Sequence, residues 1–230
     1  EEADLILLIG TNPRYEATIL NARIRKAYLN KNTKIISLNE VGDLTYPYES
    51  LDGTTQTIKD IFENKNNIAK NIIESKKPMI ILGESFLKIK SANYLFQYIK
   101  NFLLKNNKFT DHWNPLNILS TDAATVGNLD LDIINYENDL IKELNEENFE
   151  LVFLIGQDNL NFIKKNEFVV YQGSHGDKGA EIANIILPGA AYTEQSGHYT
   201  NLEGKIQKAY KASYPPGEAK EDWQIINELA

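Results

Sequence analysis

Three glycines with the spacing G-x-x-G-x-x-G form one group of residues in this chain that could bind a cofactor. Gly173, Gly176 and Gly179 follow an apolar run that ends at Tyr171, and they surround His175. Because glycine has no side chain, such a loop lets a cofactor approach the backbone closely. The alternative is a loop whose glycines serve packing. The spacing differs from the G-x-G-x-x-G of dinucleotide-binding proteins, which favours this alternative.

A second loop, Gly10-Thr11-Asn12, lies where a buried strand would pass into a helix. Ala3–Ile9 is almost entirely apolar, and Pro13 suits the first position of a helix that Asn12 caps. Free N–H groups at such a corner favour phosphates and other anions. The loop has neither the dinucleotide glycines nor a Walker lysine, which favours capping and packing over nucleotide binding. A small nucleotide-binding α/β protein remains one interpretation of the chain.

Histidines, carboxylates and serines near the glycine loop raise the question of metal or hydrolytic chemistry. These residues are His175, His198, Asp177, Glu181, Glu194, Ser174 and Ser196. Their spacing matches no ligand motif such as H-E-x-x-H, and neither serine stands in a G-x-S-x-G context. The chain has no cysteine, which excludes disulfides, thiolate catalysis and cysteine-ligated clusters. We therefore predict no catalytic residue and no metal-binding residue in this chain.

The elements that position these loops alternate between strands and helices, as judged from apolar runs and apolar residues at helical spacing. The predicted strands are Ala3–Ile9, Thr33–Leu38, Met79–Leu82, Leu151–Ile155, Phe168–Tyr171 and Ile182–Leu187. The predicted helices are one that begins at Pro13, Ile58–Ser75, one with Ala92, Leu95, Phe96, Ile99 and Leu103 on its apolar side, and Asn138–Asn148 with Leu140, Ile141 and Leu144 inward.

This alternation is typical of an α/β fold with doubly wound, mainly parallel sheets. Asp43–Gln56 is rich in turn residues and predicts an irregular segment, while Trp113–Leu131 has no clear assignment. Lys76-Lys77-Pro78 interrupts the pattern. We therefore predict a first, partial α/β lobe at residues 1–76 and a second lobe with a C-terminal extension at residues 77–230.

Composition restricts the classes of function. A net charge of −8 argues against binding to nucleic acid or anionic lipid, both of which favour basic surfaces. The longest apolar run is far shorter than the ~20 residues that cross a bilayer, so we expect no membrane span. Lysine far outnumbers arginine, and Asn and Ile are abundant, a bias compatible with an organelle or an AT-rich bacterium.

Blocks at both ends of the chain, with a short one between them, resemble the C-terminal part of the large iron–sulfur subunit of respiratory complex I, the proton-pumping NADH:quinone oxidoreductase. They are ADLILLIGTNPRYEATILNARIRKAYL from Ala3, WNPLNIL from Trp113, VVYQGSHGDKGAEIANIILPGAAYTEQSGHYTNLEGKIQ from Val169, and YPPGEAKEDWQII from Tyr214. The resemblance is loose across Asp43–Lys108.

That subunit is similar to molybdopterin oxidoreductases such as formate dehydrogenase, whose α/β lobes hold a pterin dinucleotide. The resemblance implies two such lobes without the iron–sulfur domain. It also implies that the loops after Ile9, Ile155 and Tyr171 correspond to loops that approach the cofactor. The candidate remnants of a cofactor cradle are Gly10, Thr11, Asn12, Gly173, Ser174 and His175.

The implied function is that of a noncatalytic scaffold in the peripheral arm of NADH:ubiquinone oxidoreductase. Its expected partners are the cysteine-rich iron–sulfur half of the same subunit and other peripheral-arm subunits, and the iron–sulfur clusters and FMN would belong to partner chains. The expected location is the matrix side of the mitochondrial inner membrane, with the cytoplasmic face of a bacterial inner membrane as the alternative. A second hypothesis is a fragment of an active molybdopterin oxidoreductase of the formate dehydrogenase type.

Overall fold

The structure, a computed structural model, describes residues 1–133, 140–146, 149–158 and 163–230. The chain forms two compact units, Glu1–Asp122 and Ala123–Ala230. The boundary predicted between residues 76 and 77 falls instead inside the first unit. The residues after position 76 belong to the first unit because Pro78–Gly83 pairs with Leu5–Ile9 in one sheet.

The first unit contains five parallel strands with helices between them. In chain order these are β1 (Leu5–Ile9), α1 (Pro13–Glu16), α2 (Thr18–Lys31), β2 (Lys34–Leu38), β3 (Glu49–Leu51), α3 (Thr55–Phe62), α4 (Asn67–Glu74), β4 (Pro78–Gly83), α5 (Glu84–Leu87), α6 (Ala92–Lys105) and β5 (Leu116–Leu119). The strand order is β3-β2-β1-β4-β5, so the direction of winding reverses between β1 and β4.

Alternation along β1 produces two separate cores. Leu7 and its neighbours on one face pack with residues of α3, α4 and α6. Leu8 and Ile6 on the other face pack with Ile24 of α2 and with Leu44. Every residue of β1 is buried, as expected for a central parallel strand that helices cover on both sides. The predicted doubly wound α/β arrangement is therefore confirmed in this unit.

Several local predictions differ from the structure of the first unit. The single helix predicted at Ile58–Ser75 is two helices, α3 and α4, because Asn64 has a positive φ of 63° and ends the first of them. The side chain of Asn66 then accepts a hydrogen bond from the Ile68 N–H (3.0 Å) and caps the second. The short strands β3 and β5 lie in segments for which the sequence predicted no strand.

The second unit contains a parallel sheet and an antiparallel hairpin. In chain order its elements are α7 (Thr125–Asp130), α8 (Leu140–Asn145), β6 (Leu151–Ile155), β7 (Phe168–Gly173), α9 (Lys178–Ile182), β8 (Ile185–Pro188), β9 (Gly197–Thr200), β10 (Ile206–Ala209) and α10 (Asp222–Leu229). The sheet has the order β6-β7-β8, and β9 pairs with β10. None of the helices in the described parts of the chain is both long and apolar enough for a membrane span.

Two predictions in this unit need correction. Leu144 is buried as predicted, but Leu140 and Ile141 are exposed, so the prediction that all three point inward was wrong. The ends of that predicted helix, 138–139 and 147–148, lie outside the described residues. The third strand begins at Ile185, and not at Ile182, because residues 178–182 form α9.

Candidate functional site

The carboxyl ends of β1 and β7 carry the two predicted cradle loops. We call Gly10–Asn12 the β1 loop and Gly173–His175 the β7 loop. The first lies where the strand order reverses, the position at which open α/β sheets bind their ligands. The two loops belong to different compact units.

The backbone of the β1 loop is packed directly against the end of β4. A Cβ atom on Gly83 would lie 2.2 Å from the carbonyl oxygen of Gly10, far inside contact distance. Gly10 itself has a φ of +63°, and a Cβ there would lie 2.7 Å from the backbone nitrogen of Phe86. The Ser85 hydroxyl donates a hydrogen bond to the Gly10 carbonyl. Backbone atoms therefore fill the space between the two strand ends.

The polar groups of the β1 loop are bonded to a carboxylate of the chain itself. The buried Thr11 hydroxyl donates to Oε2 of Glu16 (2.6 Å), and the Asn12 N–H donates to Oε1 of the same residue (3.0 Å). Glu16 thus places a negative charge beside the first turn of α1, where a bound anion would otherwise interact with free N–H groups. A phosphate at this loop would have to displace Glu16 and would meet like charge.

The remaining donors of the loop tie it to the segment that follows β2. Asn12 donates from Nδ2 to the Val41 carbonyl (2.8 Å), and its Oδ1 accepts from the Arg14 N–H (3.2 Å). Arg14 in turn forms an ion pair with Asp43 (2.6 Å). A hydrogen bond from the Thr45 N–H, followed by that from Arg14, lowers the pKa of the Asp43 carboxyl. The predicted capping role of Asn12 is confirmed.

A second carboxylate, which the sequence analysis missed, closes the end of β4. The Thr121 hydroxyl and N–H both donate to Oε1 of Glu84, the latter over 3.0 Å. The hydroxyl bond is the largest cause of a lowered pKa at Glu84. No sequence motif marks this pair, because Glu84 and Thr121 are separated by 37 positions and meet only through the pairing of β4 with β5.

The glycines around the β7 loop make room for a tyrosine. The Tyr171 ring is 1% exposed, and a Cβ on Gly173 would lie 2.3 Å from its hydroxyl oxygen. A Cβ on Gly179 would lie 2.6 Å from the same ring, whereas one on Gly176 would meet nothing within 4 Å. Two of the three glycines in the G-x-x-G-x-x-G pattern therefore serve packing around Tyr171.

The Tyr171 hydroxyl holds the loop in place through two acceptors. It lies 2.8 Å from the His175 carbonyl and 3.1 Å from a carboxylate oxygen of Asp158, and it donates to one of them at a time. Burial, followed by the hydrogen bond to Asp158, raises the pKa of Tyr171. Asp158 lies 13 positions before Tyr171, and no motif in the sequence marks it as a partner.

The predicted residues Ser174 and His175 point to solvent. Their side chains contact each other, with Ser174 Oγ 2.9 Å from His175 Nδ1, and both residues are exposed. His198 lies in the hairpin, opposite Lys208, and Glu194 accepts a hydrogen bond from the Ala191 N–H (3.0 Å). Across the ranges that the structure describes, no group of three or more His, Asp or Glu side chains is placed to hold a metal ion.

Gln172 is a buried polar residue that the sequence analysis also missed. It is 1% exposed, and its amide donates to Oδ1 of Asp222 at the start of α10 (2.8 Å). Its Oε1 atom is buried and has no hydrogen-bond partner among the described residues. In the sequence it is marked only by its position at the end of the apolar run Phe168–Tyr171, directly before Gly173.

The fold and these loops define an α/β protein built on parallel sheets, in which the loop at the ligand-binding position is occupied by the chain's own side chains. The family model for molybdopterin oxidoreductases matches residues 1–230, so the chain belongs to the molybdopterin oxidoreductase family.

Several relatives at about 40% sequence identity are named as subunits of NADH-ubiquinone or NADH-quinone oxidoreductases. The chain is 42% identical, over its full length, to the NADH-ubiquinone oxidoreductase 75 kDa subunit of Reclinomonas americana, of which it covers 34%. It is 39% identical to the mitochondrial 78 kDa subunit of Candida albicans, covering 31%, and 41% identical to a subunit of the NADH-quinone oxidoreductase of Rickettsia bellii, covering 33%. The chain therefore spans about a third of the length of these relatives.

A solved structure shares the fold at low sequence identity. Acetylene hydratase from Pelobacter acetylenicus superposes with a TM-score of 0.58 at 14% identity, over 99% of this chain and 47% of that one. This likeness shows a shared fold and carries no information on activity.

Proposed function

We propose that this chain is a noncatalytic scaffold module of an NADH:ubiquinone oxidoreductase subunit. It would support the cluster-bearing remainder of that subunit within the peripheral arm. The identity of 38–42% to the subunits of that enzyme across the whole chain supports the assignment to the complex. The structural observation that carries the noncatalytic role is the self-filled β1 loop, with Glu16 bonded to Thr11 and Asn12.

Three features of the chain support a role without a redox group of its own. The absence of cysteine leaves no thiolate for an iron–sulfur cluster. The β1 loop presents a carboxylate where a phosphate-bearing cofactor would need free N–H groups. The glycines of the β7 loop accommodate Tyr171. Iron–sulfur clusters and FMN would accordingly be carried by partner chains, and the six cradle residues would be remnants of a cofactor site.

The two compact units would correspond to two lobes of the formate dehydrogenase-like type, the second with a C-terminal extension. The partners would be the cysteine-rich half of the same subunit and neighbouring peripheral-arm subunits. The location would be the matrix side of the mitochondrial inner membrane, or the cytoplasmic face of a bacterial one. The name of the Candida relative gives a mitochondrial location, which supports the organelle, and the Rickettsia relative is a bacterial protein, which supports the bacterial alternative.

Purification of the native assembly tests this proposal. Purification through an affinity tag on this chain should recover NADH dehydrogenase activity together with cluster-bearing subunits. On a native gel, the tagged chain and these subunits should migrate together in a constant ratio. Recovery of the tagged chain only as a free monomer would contradict the proposal.

Elemental analysis of the same preparation distinguishes the alternative, a fragment of an active molybdopterin oxidoreductase. We expect iron in the assembly and no molybdenum or tungsten in stoichiometric amount. Stoichiometric molybdenum or tungsten that copurifies with this chain would favour the alternative.

A further inference from the structure

In the parallel sheet of the second unit, one face packs into an apolar core along β6 and β7, and the other face has no such core among the described residues. On the covered side, Val169 and Tyr171 of β7 pack with Leu144, Leu154 and surrounding apolar residues. The opposite side carries a set of large apolar side chains that we call the open face. Its members are Leu151, Phe153 and Ile155 of β6, Phe168 of β7 and Ile185 of β8.

Strand register brings these five side chains to the same side. Leu151 pairs with Phe168, and Phe153 pairs with Val170, which pairs in turn with Ile185. Side chains alternate along each strand, so residues in register and every second residue share a face. Each of the five is between 44% and 52% exposed, which leaves a contiguous apolar surface.

Two residues of this face are buried, Val170 and Gln172 of the central strand β7. The start of α10 lies beside Gln172, since Asp222 accepts the hydrogen bond from its amide. Gln172 is also the only polar residue that the three strands place on this face, so the rest of the surface offers no charge or hydrogen bond to a partner.

A parallel sheet with one open apolar face is unusual, because crossover helices normally cover both faces. The first unit follows that rule, and its β1 is buried on both sides by helices. A large contiguous apolar patch on a folded protein marks a surface that a partner or another element covers. Helices cover the sheet of the first unit. We therefore expect the element that covers the open face of the second sheet to be an amphipathic helix as well.

We propose that the open face docks an amphipathic helical segment from the part of the subunit outside the region that this chain matches. This inference rests on the proposed function. The occupant is argued from length, because the chain covers 34% of its Reclinomonas relative and about two thirds of that polypeptide lies outside the matched region. The open face therefore joins this chain to the remainder of the subunit, through apolar contact and without ion pairs.

Neighbouring residues of β8 provide a matched pair of variants for the test. Ile185 belongs to the open face, whereas Ile186 points to the other side and is similarly exposed, at 54% against 46%. Ile185→Arg and Phe153→Arg would place a cation in the docked interface, where it loses its water without gaining a partner. Ile186→Arg introduces the same charge one position away and should leave docking intact.

Each variant would be expressed as the full chain with an affinity tag, and the cluster-bearing subunits that copurify with it would be measured. We expect Phe153→Arg and Ile185→Arg to reduce copurification at least about tenfold, and Ile186→Arg to retain it within about twofold. Circular dichroism and thermal unfolding of the free variants check that each is folded. A radical footprint of the wild-type chain gives an independent readout, since Phe153 should be labelled in the free chain and protected in the assembly.

The outcomes separate this inference from the proposed function. If wild type and all folded variants copurify alike, or if Phe153 is labelled equally in both states, the open face is not the docking surface while the proposed function stands. If the wild-type chain itself recovers no cluster-bearing subunit, both proposals fail. If the free chain forms a dimer that Phe153→Arg disrupts, the occupant is a second copy and the inference is overturned.

Discussion

Gly83 faces the carbonyl oxygen of Gly10 so closely that a Cβ atom on Gly83 would lie 2.2 Å from that oxygen. The ends of β1 and β4 are thus in backbone contact at the point where the strand order reverses. In related folds this is the position of a ligand crevice. In this chain it is a packing contact.

Replacement of Gly10 by alanine tests that contact against a control with similar backbone strain. Gly10 and Gly42 both have positive φ, 63° and 75°, but a Cβ on Gly42 would meet nothing within 4 Å. We expect Gly42→Ala to lower the free energy of unfolding by about 1–2 kcal/mol through strain alone. Gly10→Ala should cost about 1–3 kcal/mol more, because its Cβ also overpacks against Phe86. Equal losses in urea denaturation would show that the contact is not tight.

Removal of the Glu16 carboxylate should destabilise the β1 loop. Glu16→Ala leaves the buried Thr11 hydroxyl and the Asn12 N–H without their acceptor, at an expected cost of about 1–2 kcal/mol. The exposed Glu40 provides a control, and Glu40→Ala should change the free energy of unfolding by less than about 0.5 kcal/mol. Titration with inorganic phosphate should give no binding heat for the wild-type chain. Phosphate binding by the wild type would contradict a filled loop.

The glycines near Tyr171 should differ sharply in their tolerance of alanine. Gly179→Ala would force a Cβ to within 2.6 Å of the Tyr171 ring and should cost about 1–3 kcal/mol. A Cβ on Gly176 would meet open space, so Gly176→Ala should leave the free energy of unfolding nearly unchanged. Thermal unfolding of the two variants therefore distinguishes a packing loop from a cofactor loop. If the Gly176 variant were the more damaged of the two, the packing interpretation would be wrong.

The Tyr171 hydroxyl should contribute measurably to the second unit. Tyr171→Phe removes the donor to the His175 carbonyl and to Asp158, at an expected cost of about 1–2 kcal/mol. Tyr192, which is 81% exposed, provides the matched control, and Tyr192→Phe should leave the unfolding midpoint unchanged. Denaturation monitored by the circular dichroism of the backbone measures the unfolding midpoints of both variants. Equal midpoints for the two variants and the wild type would exclude this anchoring role.

Acid should weaken the N-terminal end of the first sheet through Asp4. Burial raises the pKa of this carboxyl, but hydrogen bonds from the Ser75 hydroxyl and from the N–H groups of Lys76 and Lys77 outweigh it, and the net pKa is lowered from 3.8. A carboxyl whose pKa is lower in the folded state stabilises the fold above its unfolded pKa. That stability is lost as the pH falls through the folded value.

The variant Asp4→Asn should therefore flatten the loss of stability below about pH 4. At neutral pH it should cost only about 0.5–1 kcal/mol, because Asp4 is exposed and solvent screens its interactions. Unfolding measured from pH 7 to pH 2 gives both quantities. An unchanged slope between wild type and variant would exclude Asp4 as the titrating group.

The sequence was sufficient to predict those parts of the fold that depend on long apolar runs. β1, with five buried residues, and the cap at Asn12 followed from local pattern. The break between α3 and α4 did not, because it depends on Asn64 adopting a left-handed conformation that asparagine tolerates and does not require. The three-residue strand β3 has too few residues to produce an alternating pattern.

The candidate site shows the same limit. The change from strand to helix at Gly10 located the β1 loop, and glycine spacing located the β7 loop. The residues that fill the two loops were not predictable. Glu16 is an ordinary helix residue in the sequence, and only the turn of α1 brings its carboxylate back to Thr11. Tyr171 looked like any aromatic residue of a buried strand until the structure placed its ring against Gly173 and Gly179.

The hydrogen bonds of Glu16 fill the β1 loop with a carboxylate of the chain itself. An occupant that is covalently part of the chain has a fixed effective concentration, which no change in the cell's supply of nucleotide or cofactor can alter. Ligand-binding proteins gain stability in proportion to the logarithm of free ligand, and under the proposed scaffold role this loop would gain none. Under the proposed scaffold role, the persistence of the module in the cell should follow the abundance of the proposed partner subunits, and not the metabolic state.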